Sequence, residues 1–347
     1  MKKLTILLVA LALMSLPFMS CDGDDNKDEV KEPVYTVFNN TNSDLPYNAV
    51  YCIDFDNNGN IWFGGQKDAA TGVANVSKLS NDLASWTVYN ADDIGLGNME
   101  DRVFYMAVDN QNTKWFCTHY GVGYLKADGT SGEVDTCFND YTRSVQTDSD
   151  GNIYISDRTV KGIYVSTDHG ANWTLWTADD INLSTGRPEI YDLKEDSQGR
   201  MWICTFYGVV YRTGTTWTEV SALSGEYTFA LTLDPDDNAW VTDAGNNNLY
   251  KITGSTVAAT YDSTDIEPLK YPMNDLEADK YGNIWCALSG GGLLKILPDM
   301  TFEQFTTEST GGALPEDVLI ELEIYDDVIW IATETEGIVM IENLIQL

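Results

Sequence analysis

Four of the six arginines in this chain, Arg102, Arg143, Arg158 and Arg187, fall among aromatic residues in an otherwise acidic sequence. His119, Tyr120, Tyr141, Tyr191 and Tyr207 share that stretch. A guanidinium is a planar fork of donors that fits a carboxylate or a sulfate, and a phenol adds a stacking face and a hydroxyl. Together they could recognise an anionic group on a sugar or a peptide. A second set is acidic: Asp54, Asp192, Asp275, Glu277, Glu321 and Glu323, with Lys194 among them. Converging carboxylates offer hard oxygen ligands, and a hydrated Ca²⁺ is the cation that suits them. No motif requires a cofactor. The chain has two histidines, His119 and His169. It has no Gly-x-Ser-x-Gly, His-Glu-x-x-His or phosphate-loop pattern. Catalysis would need carboxylates or a Tyr–His pair in a cleft, as in a polysaccharide lyase or glycosidase. That is the alternative to non-catalytic binding.

These residues must be positioned by a repeat. An acidic turn followed by a strand with an aromatic anchor returns seven times. The first copy is Asp56-Asn57-Asn58-Gly59-Asn60-Ile61-Trp62. Asp109 to Trp115, Asp148 to Tyr154, Asp196 to Trp202, Asp234 to Trp240 and Asp279 to Trp285 follow, each with an offset of six residues. The seventh, Tyr325 to Trp330, has a shorter turn. The anchors lie 53, 39, 48, 38, 45 and 45 residues apart. Strand-like self-similarity at this period predicts an all-β, seven-bladed β-propeller with four-stranded antiparallel blades. In the fourth copy, residues 189–196, 201–205, 209–212 and 216–220 alternate as strands between Gly and Asp turns. The last copy ends without a fourth strand. Val34 to Phe38 resembles Trp86 to Tyr89, so an N-terminal strand is expected to pair with the last blade and close the ring.

That architecture sorts the candidates. Loops between blades, and those between second and third strands, share one face, and the arginine–tyrosine set maps to it. Inner-strand alternation sends the acidic set toward the central channel. His119 and His169 fall on opposite faces. The ten tryptophans all map to blade strands, where packing explains them. Cys52, Cys117, Cys137, Cys204 and Cys286 match no metal spacing, and no disulfide is expected among them.

The ends carry other information. Lys2 and Lys3, an apolar run from Thr5 to Leu16, and Cys21 have the order of a secretory leader, and this segment resembles that of bacterial lipoproteins. Residues 1–20 are read as the leader, with lipidation at Cys21. Residues 21–33 are an acidic, unpacked tether, and 34–347 are the propeller. The expected place is the outer membrane, facing outward, with membrane contact through the lipid on Cys21. The net charge is -34, and loss of Lys2 and Lys3 with the leader would leave -36. Such a charge repels nucleic acid. The partners expected are a glycan or an envelope protein, the latter including a scaffold role in an outer-membrane uptake complex. The chain is expected to be a monomer.

The phrase Asp-x-x-Gly-Asn-Ile-Trp, followed later by Gly and an apolar strand as in Tyr207-Gly208-Val209-Val210-Tyr211, resembles the two-component-regulator propeller repeats. Those repeats build periplasmic sensor regions that sense glycan fragments, so the resemblance implies a free-standing sensor-like propeller over about residues 34–347. Ser166-Thr167-Asp168-His169-Gly170-Ala171-Asn172-Trp173 resembles the Asp-box of sialidase-like propellers, which implies a stabilised hairpin with His169 as an exposed turn residue. The repeat also resembles virginiamycin B lyase, a seven-bladed enzyme relying on histidines and a metal.

Overall fold

The structure is a computed structural model that describes residues 31–66, 76–97, 102–134, 142–157, 162–184, 186 and 188–345. Tyr141, Arg158, Arg187, Cys21 with the leader, the tether up to residue 30, and Cys137 lie outside the described residues. Twenty-eight strands form seven four-stranded antiparallel sheets, one for each predicted blade. The only helical pieces described are three 3-10 turns, Ala91–Ile94, Ser221–Leu223 and Glu267–Lys270. None is long or apolar enough to cross a membrane.

The constant offset of six has a physical cause. Each turn aspartate accepts the polar hydrogen of its own anchor. Asp56 takes Trp62 Nε1 at 3.0 Å, Asp109 takes Trp115 at 3.1 Å, and Asp148 takes the Tyr154 hydroxyl at 2.8 Å. Asp196 takes Trp202 at 2.9 Å, Asp234 takes Trp240 at 3.0 Å, and Asp279 takes Trp285 at 2.9 Å. The other carboxylate oxygen accepts backbone amides inside the turn, as from Asn58 and Asn60 to Asp56. The turn needs one residue at positive φ, supplied by Gly59 at 74° and Gly199 at 70°. A buried indole N–H would otherwise go unpaired, so spacing and residue types are set together. The seventh turn replaces this by Asp326 and Asp327, both at positive φ in a tight two-residue hairpin.

The anchors form the core. All six strand-borne tryptophan anchors are buried, and each packs against the following blade, as Trp62 does with Val103 and Phe116. The remaining four tryptophans are half-buried. Three lie on outer strands, whereas Trp173 sits one residue before its strand, Thr174–Trp176. Cys52, Cys204 and Cys286 are buried, and burial pushes their thiols up. The ring closes as expected. β1 (Val34–Phe38) pairs antiparallel with β28 (Ile338–Glu342), from Val34 opposite Glu342 to Phe38 opposite Ile338.

The hairpin at 166–173 differs from expectation in one respect. Asp168 accepts the Asn172 amide at 2.8 Å and its side chain at 2.7 Å, and Ser166 Oγ accepts Gly170 N at 2.8 Å. His169, at φ 56°, is half-buried rather than exposed. The turn leans on the neighbouring blade: a Cβ at Gly170 would sit 2.5 Å from the Trp115 ring.

Candidate functional site

The innermost strands, one per blade, are Val50–Phe55, Tyr105–Val108, Thr142–Thr147, Ile190–Glu195, Thr228–Leu233, Met273–Ala278 and Leu319–Tyr325. Six of them carry a one-residue register shift at the end away from the acidic turns. A bulge places two residues opposite one, which re-aims a side chain. The residues at this position are Tyr51, Arg143, Tyr191, Phe229, Asn274 and Ile320, with Phe104 equivalent in the second blade. All seven line one cavity of about 520 Å³ at the centre of the ring. Polar residues from deeper in the inner strands, including Asp54, Gln146, Asp192, Lys194, Asp275, Glu321 and Glu323, line its lower part.

The rim is aromatic and cationic from the first blade to the fifth. Tyr51 and Phe104 lie 5.6 Å apart, Arg102 stands over Tyr51 at 5.3 Å, and His119 stacks on Phe104 at 4.1 Å. Arg143 lies over Tyr191 at 4.7 Å. Tyr191 continues into Phe229 at 5.1 Å and Tyr227 at 5.5 Å, and Phe206 joins Tyr227 at 4.4 Å. Burial works against the charge of Arg143, but the phenols of Tyr105, Tyr191 and Tyr227 outweigh it and hold its pKa above the usual value. Its Nε is buried without a hydrogen-bond partner among the described residues. Burial also pushes the Tyr105 and Tyr191 hydroxyls up, so both are neutral at physiological pH.

The carboxylates below converge on the channel as expected, but for a structural reason. The channel edge of each inner strand presents backbone N–H groups with no ladder partner. Neighbouring blades fill them. Asp54 accepts Val108 N at 2.8 Å, Asp192 accepts Leu231 N at 2.9 Å, Asp275 accepts Leu322 N at 2.9 Å, and Glu321 accepts Ile53 N at 2.5 Å. Lys194 crosses to Glu277 at 2.5 Å. Burial opposes the Lys194 charge, but Glu277, Asp192, Glu323 and Asp275 outweigh it and hold its pKa well above normal. Burial raises Asp54 to about 7 against the pull of the Phe55 and Val108 amides. Burial also raises Asp192, Asp275, Glu321 and Glu323, and nearby carboxylates add to the rise in each. Of the set expected to hold Ca²⁺, Asp54, Asp192, Asp275, Glu277, Glu321 and Glu323, four accept edge amides and Glu277 pairs with Lys194. Among the described residues no group of three or more such side chains is placed to hold a metal ion. An edge amide takes one oxygen each of Asp54, Asp192, Asp275 and Glu321, which leaves lone pairs for other donors, and Lys194 stands among them.

Of the ligand candidates, Arg143 and Tyr191 meet inside the cavity, and Arg102 and His119 reach its rim through Tyr51 and Phe104. Tyr120, exposed, and Tyr207, half-buried beside Phe206, stand outside the cavity on second-to-third-strand turns of the same face. Sequence reading missed Tyr51, Phe104, Tyr105, Tyr227 and Phe229. A signal for the bulge residues was present. Each lies eleven residues before its anchor, or ten in the seventh repeat with its shorter turn.

With this geometry in view, relatives can be placed. Two stretches, residues 44–67 and 186–207, match the family described as two component regulator propeller. The first and fourth copies of the repeat match that type. The stretches contain the inner strands and anchors of the first and fourth blades, with bulge residues Tyr51 and Tyr191. Virginiamycin B lyase from Staphylococcus aureus has a similar fold, with TM-score 0.70 and 16% identity over 90% of this chain and 99% of that one. The extracellular domain of a hybrid two component system from B. thetaiotaomicron gives 0.67 and 15% identity, over 88% of this chain and 39% of that one. PorZ, a surface component of the type-IX secretion system of Porphyromonas gingivalis, gives 0.63 and 17%, over 84% and 46%. At these identities the likeness is one of fold. No curated protein matches the sequence.

Proposed function

We propose that this propeller is a non-catalytic binding module of the cell surface that takes an anionic group of a glycan at the bulge end of its channel. One observation carries the reading. Arg143 is half-buried in the cavity, and among the described residues its neighbours are phenols and no ion pair with a carboxylate is made. A charged guanidinium with no counter-ion among the described residues is matched by a ligand carboxylate or sulfate. The flanking aromatic faces suit sugar rings. The leader and acidic tether support display as an outer-membrane lipoprotein anchored at Cys21. Catalysis has no comparable support. His119 is stacked on Phe104 in a second-to-third-strand turn, while His169 sits in a third-to-fourth-strand turn at the other end of the blades.

The test is a glycan array followed by calorimetry. Carboxylated or sulfated glycans are expected to bind, and Arg143→Ala to weaken them about tenfold or more, the cost of losing a charge-assisted bond. Unchanged affinity in Arg143→Ala removes this site. Binding of an envelope protein with no glycan hit replaces the glycan by a protein partner. Turnover of any polysaccharide would make the chain an enzyme. Metabolic labelling with a fatty acid, lost in Cys21→Ser, tests the anchor.

A further inference from the structure

We infer that the cavity reads the end of an acidic chain and not its middle, an inference that rests on the anion-binding role of Arg143. A groove that binds a chain along its length must be open at two sides. This cavity lies inside a closed ring of seven inner strands, so its walls are continuous. Below, the Lys194–Glu277 pair reaches across from the fourth blade to the sixth, and Asp54 and Glu323 flank it at the same level. No residue of the acidic turns at the far end lines the cavity. It is a well with one mouth, and its volume of about 520 Å³ holds one or two sugar-sized units.

The wall is asymmetric in a way that orients such a unit. Aromatic bulge residues occupy the first, second, fourth and fifth blades, with Arg143 between them in the third. The sixth and seventh blades offer Asn274 and Ile320, with Asp275 and Glu321 just below. A ring entering the well can stack on the aromatic side and place its anion on Arg143. Its hydroxyls then point at Asn274, Asp275 and Glu321, whose oxygens can accept further hydrogen bonds. A longer chain adds units outside the mouth, where the well gives them no wall.

Calorimetry of the full chain with galacturonate oligomers of defined length, with polygalacturonate, and with a heparin-derived sulfated disaccharide decides this. The expected result is that the dimer and an octamer bind within about threefold of each other, at one protein per chain, because contacts end with the well. Polygalacturonate should compete in proportion to its ends and not its mass. Binding by the sulfated disaccharide alone supports the same well with sulfate as the anion. Affinity that climbs with every added unit, or several proteins bound per chain, overturns chain-end reading and leaves anion binding by Arg143 standing. Failure of every acidic oligosaccharide to bind a folded protein overturns both. Arg143→Gln is the control variant. It should lose binding about tenfold while keeping its melting curve, since a bulge side chain lies outside the strand ladder.

Discussion

Two rings of side chains run round this propeller, one at each end of the inner strands. At the turn end, six aspartates receive the polar hydrogens of six aromatic anchors. Every copy does the same packing job, so the residue types scarcely change. At the bulge end, the backbone feature repeats but the side chains run from Tyr and Phe through Arg to Asn and Ile. Those side chains face a cavity instead of a neighbouring blade, so packing does not dictate them. The two levels also differ in charge. Burial works against Asp56 and Asp234, yet hydrogen bonds from Trp62 and Asn60, and from Trp240 and Asn238, hold their carboxyls below the usual range. In the channel, burial wins and raises Asp54, Asp192, Asp275, Glu321 and Glu323. A repeat protein keeps its copies alike where they build the ring and lets them diverge where they meet a ligand.

The largest effect that separates the two rings should come from an anchor. Trp202 is fully buried, so Trp202→Ala should cost about 3–5 kcal/mol, read by urea unfolding. A cost below about 1 kcal/mol would mean the anchors do not carry the ring. Next comes Asp196→Ala, which strands the Trp202 indole N–H, the turn amides and Arg200. About 2 kcal/mol is expected from those orphaned donors.

A smaller effect distinguishes the rings by pH. A channel carboxyl with a raised folded pKa adds stability that is complete below its unfolded pKa, near 4, and is lost as pH rises through its folded value. For Asp54 that value is about 7. Asp56 and Asp234, with lowered values, add stability that is present above the unfolded pKa and is lost as pH falls through the folded one. The melting temperature should therefore be higher at about pH 5 than at about pH 8, then drop again below about pH 4. A flat profile from pH 5 to 8 would show that the channel carboxylates are hydrated and ordinary. The smallest effect on stability belongs to the bulge ring. Arg143→Gln should change unfolding by no more than about 1 kcal/mol while removing most ligand affinity. A large loss of stability in that variant would place Arg143 in the structural ring.

Much of the blade plan was legible from residues alone. The offset of six from Asp to an aromatic marked six of the seven turns, and Val34 to Phe38 matched the missing outer strand of the last blade. Inner-strand alternation brought Asp54, Asp192 and Glu321 to the channel as read. It did not reveal why they are there, because the edge amides they accept belong to other blades. Nor did it reveal Tyr51, Phe104 and Phe229, since strict alternation breaks at a bulge. His169 was misplaced in burial because its turn rests on Trp115, 54 residues away in sequence.

By itself, then, the sequence determined the number of blades, their turns, their anchors and the closing strand. These follow from local hydrogen bonds and periodicity, which need no knowledge of distant residues. Only the tertiary structure decided which side chains share the well, that Arg143 stands there among phenols, and that Lys194 meets Glu277 across the channel. Those relations join different blades, Lys194 and Glu277 lying 83 residues apart, and they exist only once the ring has closed.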